Sequence, residues 1–415
     1  MEKVTDLALS ALVRASAEAT ATRSRLAKRR LLADCLREAG AGQAALVVSY
    51  LSGRLPQGTI GLGPSLLREL DLPDCMLEAP ALRLSEIDDA FTRLAGISGK
   101  GSKQARLALL CDLLARATPD ERDFLFRLML GELRQGALEG LLVDALAEAS
   151  GLPQRDVRRA VMLAGDAAAV AEPALREAAA GLEAFRLEPL SPVQPMLAQP
   201  AETMAAALDA LGEAGLEYKL DGARVQIHKR GSELCIYSRR LNDVTASLPE
   251  IVAQVSALPA TDLILDGEVI ALRGDGRPLP FQVTMRRFGR KSDVAGLRGQ
   301  IPLSLFLFDC LHRDGEDLID QPADERYAAL RSLDVPRLLV PRLVTGDRAQ
   351  AQAFLRRALD EGHEGLMAKA LGSPYAAGSR GADWLKIKQV HSLDLVVLAV
   401  AALPSPDAAS LSGIL

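Results

Sequence analysis

The chain has 415 residues, 49% hydrophobic and 25% charged, with a formal net charge of −5. That composition excludes a disordered or fibrous chain and predicts two or three globular domains; the charge weighs against bulk electrostatic coating of nucleic acid, although local basic patches survive in such a sum. The five cysteines form no C-x-x-C pair, which argues against a disulfide framework or a zinc site, and with no signal peptide and no bilayer-length apolar run the expected location is the cytoplasm.

Residues 1–185 read as an all-α domain. Apolar residues recur every three or four positions in LALSALVRASAEA, RLAKRRLLADCLREA, ARLALLCDLLARA and LEGLLVDALAEAS, and Pro and Gly mark the joins. GTIGLG (58–63) lacks the glycine order of a dinucleotide fingerprint, and GISGKGSK (96–103) lacks the spacing of a P-loop. Residues 186–200, RLEPLSPVQPMLAQP, are proline-rich and predict a linker.

From 201 to 400 short β-rich runs take over: YKLDGARVQIHKR, ELCIYSRR, DLILDGEVIAL, LSLFLFDCL, GLMAKAL and WLKIK. Gly231-Ser232 predicts a hairpin turn. Helical stretches such as AQAFLRRALDEG between them indicate an α+β domain on antiparallel sheets. Residues 401–415 are rich in Pro, Ser and Ala and read as a frayed, disordered tail.

Chemistry-bearing residues gather in this half. EYKLDGAR (217–224) fits K-x-D-G-x-R around Lys219, with Glu217, Asp221 and Arg224 close in sequence; a surface hairpin could carry the same letters. SRRLNDVT (238–245) holds Arg239 and Arg240, LDGEVIA (265–271) holds Asp266 and Glu268, and FLFDCL (306–311) holds Phe308. EGLMAK (364–369) adds Glu364 and Lys369, and GSRGADWLKIK (378–388) adds Arg380, Lys386 and Lys388. Strand alternation puts Lys386 and Lys388 on one face and Leu385 and Ile387 on the other. The four histidines show no metal-ligand spacing.

In this order and at these intervals the blocks resemble the nucleotidyltransferase motifs of ATP-dependent DNA ligases. The helical half, through TRSRLAKRRLLADCLREA, YLSGRLPQGTIGLG and GELRQGALEGLLVDAL, is similar to the DNA-binding domain of bacterial and archaeal ligases related to the eukaryotic replicative ligase. The resemblance covers residues from about 20 to 400. It implies that Lys219 attacks the α-phosphate of ATP to form lysyl-AMP, helped by burial and neighbouring cations that ease loss of its proton. Glu217 would read the adenine amino group and Phe308 would stack on the ring. Arg224, Arg239 and Glu268 would hold the ribose or phosphate side, with Arg380, Lys386 and Lys388 on the nucleotide. Magnesium (Mg2+) would meet Glu364, Asp221 and Asp266, although Asp266 could instead order an Asp-Gly turn.

The implied partner is nicked duplex DNA, bound by a monomer. Three segments would hold its backbone: Arg25 and Lys28 in TRSRLAKRR, Lys100 and Lys103 in SGKGSKQAR, and Arg134 and Gly136 in GELRQGALEG. Such ligases continue into an OB-fold domain. Here SLDLVVLAV (392–400) reads as its first strand, so that domain is expected to be absent or truncated. Two other readings stand beside the first: a nick-binding protein without catalysis, and an RNA ligase or capping-type nucleotidyltransferase. The helical half argues against the second of these.

Overall fold

The computed structural model describes residues 6–58, 60–70, 72, 82–133, 139–290, 294–376, 382–388, 401–402 and 411–412. The first half is helical, as its periodicity predicts. Helices Leu9–Ala21, Arg25–Glu38, Ser102–Ala115 and Glu139–Ser150 carry the four periodic segments, and they share one leucine- and alanine-rich core. Local chemistry fixes the helix ends. Thr118 and Glu121 form a reciprocal capping box with Pro119 in the first turn, and Gly131 at φ 68° ends that helix in the left-handed region. Helix Arg25–Glu38 packs on Glu139–Ser150, burying Leu32, Ala33 and Leu36 and leaving its basic start outward. No helix among the described residues is long and apolar enough to cross a membrane.

The second half holds strands β1 Gln199–Pro200, β2 Ala214–Lys219, β3 Ala223–Arg230, β4 Glu233–Ser238, β5 Asp262–Ala271, β6 Leu303–Arg313, β7 Glu316–Asp317, β8 Arg342–Thr345, β9 Gly365–Ala370 and β10 Trp384–Lys388. Two-residue strands β11 Ala401–Ala402 and β12 Leu411–Ser412 pair with each other. One five-stranded sheet runs β1-β10-β9-β2-β8 and a second runs β4-β3-β5-β6-β7. Apart from the parallel contact of β1 with β10, the ladders are antiparallel. The hairpin at Gly231 forms as expected, with φ 58°.

Each sheet buries one face under helices. Leu216, Leu366, Leu385 and Ile387 of the first sheet pack with Leu208 and Phe354 from helices Met204–Leu211 and Arg348–Asp360. Val225, Ile227, Leu265 and Leu305 of the second pack with Ile251 and Leu330. The two remaining faces, richer in polar residues, enclose the site.

The proline-rich stretch does not hang free between the halves. It is strapped across the second sheet through side chains, because prolines offer no amide donor for a ladder. The Val193 amide donates to Gln226 at 2.8 Å, the Leu190 amide donates to His228 at 3.0 Å, and the Tyr237 hydroxyl donates to the Leu190 carbonyl at 2.6 Å. Burial pushes the His228 imidazole down to about 3, which suits a neutral ring that accepts.

Gly365 is the tightest point of the first sheet. Its φ is 144°, and a Cβ there would overlap the Ile387 carbonyl oxygen of β10. Gly365→Ala is therefore expected to lower stability by about 2 kcal/mol. Chemical denaturation should show this as an earlier midpoint.

Candidate functional site

The site begins with a register. Lys219 pairs with Gly365, Glu217 with Met367 and Gly215 with Lys369 across β2 and β9; Gly365, Met367 and Lys369 in turn face Lys388, Lys386 and Trp384 on β10. Side chains alternate at a period of two, so all these positions share one sheet face. Lys386 and Lys388 do lie on it together. The K-x-D-G-x-R block is the corner where the chain leaves the first sheet at Lys219 and enters the second at Ala223. Its glycine is required by space: a Cβ on Gly222 would lie 2.5 Å from the Val269 carbonyl oxygen and 2.9 Å from Glu268 Cγ.

The second sheet supplies the opposite wall. Arg224 forms a two-bonded pair with Asp266, Nε to Oδ1 at 3.0 Å and Nη2 to Oδ2 at 2.5 Å. It also donates to the Met196 carbonyl at 2.6 Å and to the Tyr375 hydroxyl at 3.1 Å. Burial works against the arginine charge, but Asp266 outweighs it and raises the Arg224 pKa. The Tyr375 hydroxyl donates to Asp266 at 2.7 Å and accepts from the Met196 amide at 3.0 Å. Tyr375 has no sequence signal, because a lone tyrosine after Ser-Pro carries no motif.

Phe308 lies between the sheets, edge-on to Trp384 with centroids 6.2 Å apart. The Lys369 ammonium sits over both rings, 4.6 Å from Phe308 and 4.3 Å from Trp384. Burial lowers the Lys369 pKa against the opposing pull of Glu217, its 2.7 Å partner. Glu268 is half-buried beside Gly222. Withdrawal from water pushes its carboxyl up to about 8, against the attraction of Arg224 and Lys219.

The three expected metal carboxylates separate. Glu364 pairs with Lys219 and, at 2.9 Å, with Lys388. Burial works against its charge, yet hydrogen bonds from Lys219 and Lys388 hold its carboxyl below the usual value. Asp221 lies beside it and is raised, first by burial and then by the Glu364 charge. Two adjacent carboxylates suit a cation that keeps its other positions for water and phosphate oxygens. Asp266 does not fit this set: it is 1% exposed and both its oxygens are committed to Arg224 and Tyr375. Among the described residues no group of three potential metal-ligating side chains converges.

Arg239 does not sit among these contacts. With Arg240 it lines a cleft of about 1400 Å³ between the two halves, whose other walls carry Arg23, Arg25, Lys28, Arg54 and Arg158, with Glu139 as the acid. Arg25 and Lys28 thus join a basic wall with residues that sequence reasoning missed. Arg54 stands outside any charge run and Arg158 belongs to the separate run RDVRR (155–159); only folding brings them to this wall. Lys100 and Lys103 are not part of this cleft; Lys103 pairs with Glu69 at 2.7 Å. Arg380, Arg134, Gly136 and the 392–400 run lie outside the described residues.

Comparisons with known proteins agree with one another. A family model described as ATP dependent DNA ligase domain matches residues 195–388, and one described as DNA ligase N terminus matches residues 71–147. A probable DNA ligase of Anaeromyxobacter sp. (strain Fw109-5) is 58% identical over 391 residues, covering 94% of this chain and 75% of that one. A probable DNA ligase of Sorangium cellulosum (strain So ce56) is 50% identical, covering 94% and 73%. A solved structure described as Pmar-Lig_Pre shares the fold with a TM-score of 0.59 at 18% identity, covering 96% of this chain and 83% of that one.

The Glu268 proton gives a pH signature. Its folded pKa of about 8 lies above the ordinary carboxyl value of 4.5. The folded state therefore holds a proton that the unfolded state releases. Its stabilising effect is complete below pH about 4.5 and is lost as pH rises toward 8. Glu268→Gln should raise the melting temperature by about 2 °C or more at pH 8.5 and by little at pH 5. Melting curves of ligand-free protein across that range would measure the difference.

Proposed function

The chain belongs to the ATP-dependent DNA ligases, and from that membership we propose that it seals nicks in duplex DNA through a lysyl-AMP intermediate on Lys219. The observation that carries the reading is the shared sheet face. It sets Lys219 beside the cations Lys386 and Lys388 and in line with Glu217, opposite a wall that holds Phe308 and Arg224.

Lys219 rests as an ammonium–carboxylate pair with Glu364. To react, the amine leaves that carboxylate and loses its proton to solvent or a phosphate oxygen. Its lone pair then forms a P–N bond to the α-phosphorus of ATP. The bond from that phosphorus to the bridging oxygen breaks, and pyrophosphate leaves with the electron pair. Lys386 and Lys388, on the same sheet face as Lys219, would stabilise the negative charge that builds on the phosphate. A 5′-phosphate oxygen of the nick next displaces the lysine, which regains a proton. The 3′-hydroxyl finally attacks that phosphate, loses its proton and expels AMP.

Phe308 would support the adenine ring and Glu217 would accept from its amino group. Glu268 would face the ribose, where a carboxyl that holds its proton near neutral pH can donate or accept. Asp221 and Glu364 are the residues that would hold magnesium, which supplies countercharge to the phosphates when bound. Arg224 acts through Asp266 and Tyr375 to shape the pocket. The basic cleft would receive the DNA backbone, with Arg25, Lys28 and Arg240 as contacts and without base readout. The other two readings gain no observation. Capping or RNA ligation has no need of the helical half, and a binding-only protein has no need of a lysine set among paired cations.

Incubation with ATP and magnesium should add one AMP, about 329 Da, to the intact mass as the lysine adduct. Lys219→Ala should add none. An unmodified parent that also fails to seal a pre-adenylated nick would exclude ligation. Arg240→Ala should weaken binding to nicked duplex similarly across sequences and reduce the slope of log affinity against log salt by about one. Fluorescence anisotropy over a salt series would read this.

A further inference from the structure

Glu217 is buried to 2% exposure, and each of its carboxylate oxygens has a different cation. Oε2 takes Lys369 at 2.7 Å, and Oε1 takes Arg342 of β8 at 3.2 Å. β8 pairs with β2 so that Arg342 lies directly opposite Glu217. Arg342 belongs to none of the motif blocks.

Its surroundings are shaped around it. The guanidinium carbon lies over Tyr327 of helix Ala323–Arg331, 3.9 Å from the ring centroid. On the other side the space comes from Gly215. A Cβ on that glycine would lie 2.7 Å from Arg342 Nη2 and 2.9 Å from Cζ. The strand thus lacks a side chain where the guanidinium passes. Arg342 Nε is nonetheless buried with no hydrogen-bond partner. An arginine kept only for stability gains little from a place that leaves one of its donors unmet.

We infer that Arg342 is a positioning residue that sets purine specificity by holding Glu217 as an oriented hydrogen-bond acceptor. The inference rests on the proposed role of Glu217 toward the purine base. A purine with a 6-amino group presents a donor to that carboxylate. A 6-oxo purine presents an acceptor, which meets a second acceptor and is rejected. That discrimination holds only while Glu217 keeps its lone pairs toward the base. Arg342 fixes this by binding Oε1, with its guanidinium held over the Tyr327 ring and passing close to Gly215. Lys369 does so at Oε2.

The test follows Lys219 adenylylation and inosinylation by intact mass in separate reactions with ATP or ITP alone, in parent and variants, and compares their rates over a range of nucleotide concentration. Arg342→Met should raise the apparent KM for ATP and lower the ATP-over-ITP preference by about tenfold. Arg342→Lys should restore part of it. Gly215→Ala, which displaces the guanidinium and leaves its charge, should shift the preference in the same direction. A purely structural role would reduce both reactions together and leave their ratio unchanged. Folded Arg342→Met, verified by its melting curve, with an unchanged ratio overturns the inference while the ligase reading stands. If Arg342→Met does not fold, an unchanged ratio in Gly215→Ala overturns it instead. A parent that takes up neither nucleotide on Lys219 removes the ligase reading and this inference together.

Discussion

The site depends on the two-residue alternation of β2, β9 and β10 being held in one register. Glu217 and Lys219 face the cleft only because Leu216 and Tyr218 face the opposite way, into the apolar layer under helices Met204–Leu211 and Arg348–Asp360. A slip of one residue would send Lys219 into that layer and bring Tyr218 out. The apolar side therefore secures the polar one. Gly365 belongs to the same constraint, since the close approach of β9 to β10 at Ile387 leaves no room for a side chain.

The charges of the site pair with one another. Glu364 answers Lys219 and Lys388, Asp266 answers Arg224, and Glu217 answers Lys369 and Arg342. Buried ion pairs of this kind add little net stability, because the cost of withdrawing both charges from water offsets their attraction. Their value is geometric. Each pair fixes its cations in place: Lys219 and Lys388 at Glu364, Arg224 at Asp266, and Lys369 and Arg342 at Glu217. Glu268 is the exception. It gains too little from Arg224 to offset its loss of water and holds its proton.

The strap at 186–198 connects this pocket to the helical half. Met196 uses its carbonyl on Arg224 and its amide on Tyr375, so the segment that joins the halves also forms part of the pocket wall. Gln194 reaches back to Glu139 at 2.9 Å, and Arg159 pairs with Asp320 across the same junction. Proline content suggested a loose connector. The structure instead uses side-chain partners on β3 and β4 to replace the missing amide donors.

Local chemistry was legible from the chain alone. Helical periodicity, the hairpin at Gly231, the face shared by Lys386 and Lys388 and the motif around Lys219 each follow from short-range rules that adjacent residues satisfy by themselves. Partnership was not legible, because it joins residues far apart in sequence. Asp266, expected among the metal carboxylates or in an Asp-Gly turn, is closed in by Arg224 and Tyr375, and Arg239 lines the basic cleft between the two halves. Arg342, Tyr375 and Arg54 had no sequence signal, since a single arginine or tyrosine gains its role only from what long-range packing sets against it. The sequence by itself determined which faces are apolar and which residues can react. The tertiary structure decided which charges meet, because strand register and domain packing set distances that sequence spacing does not encode.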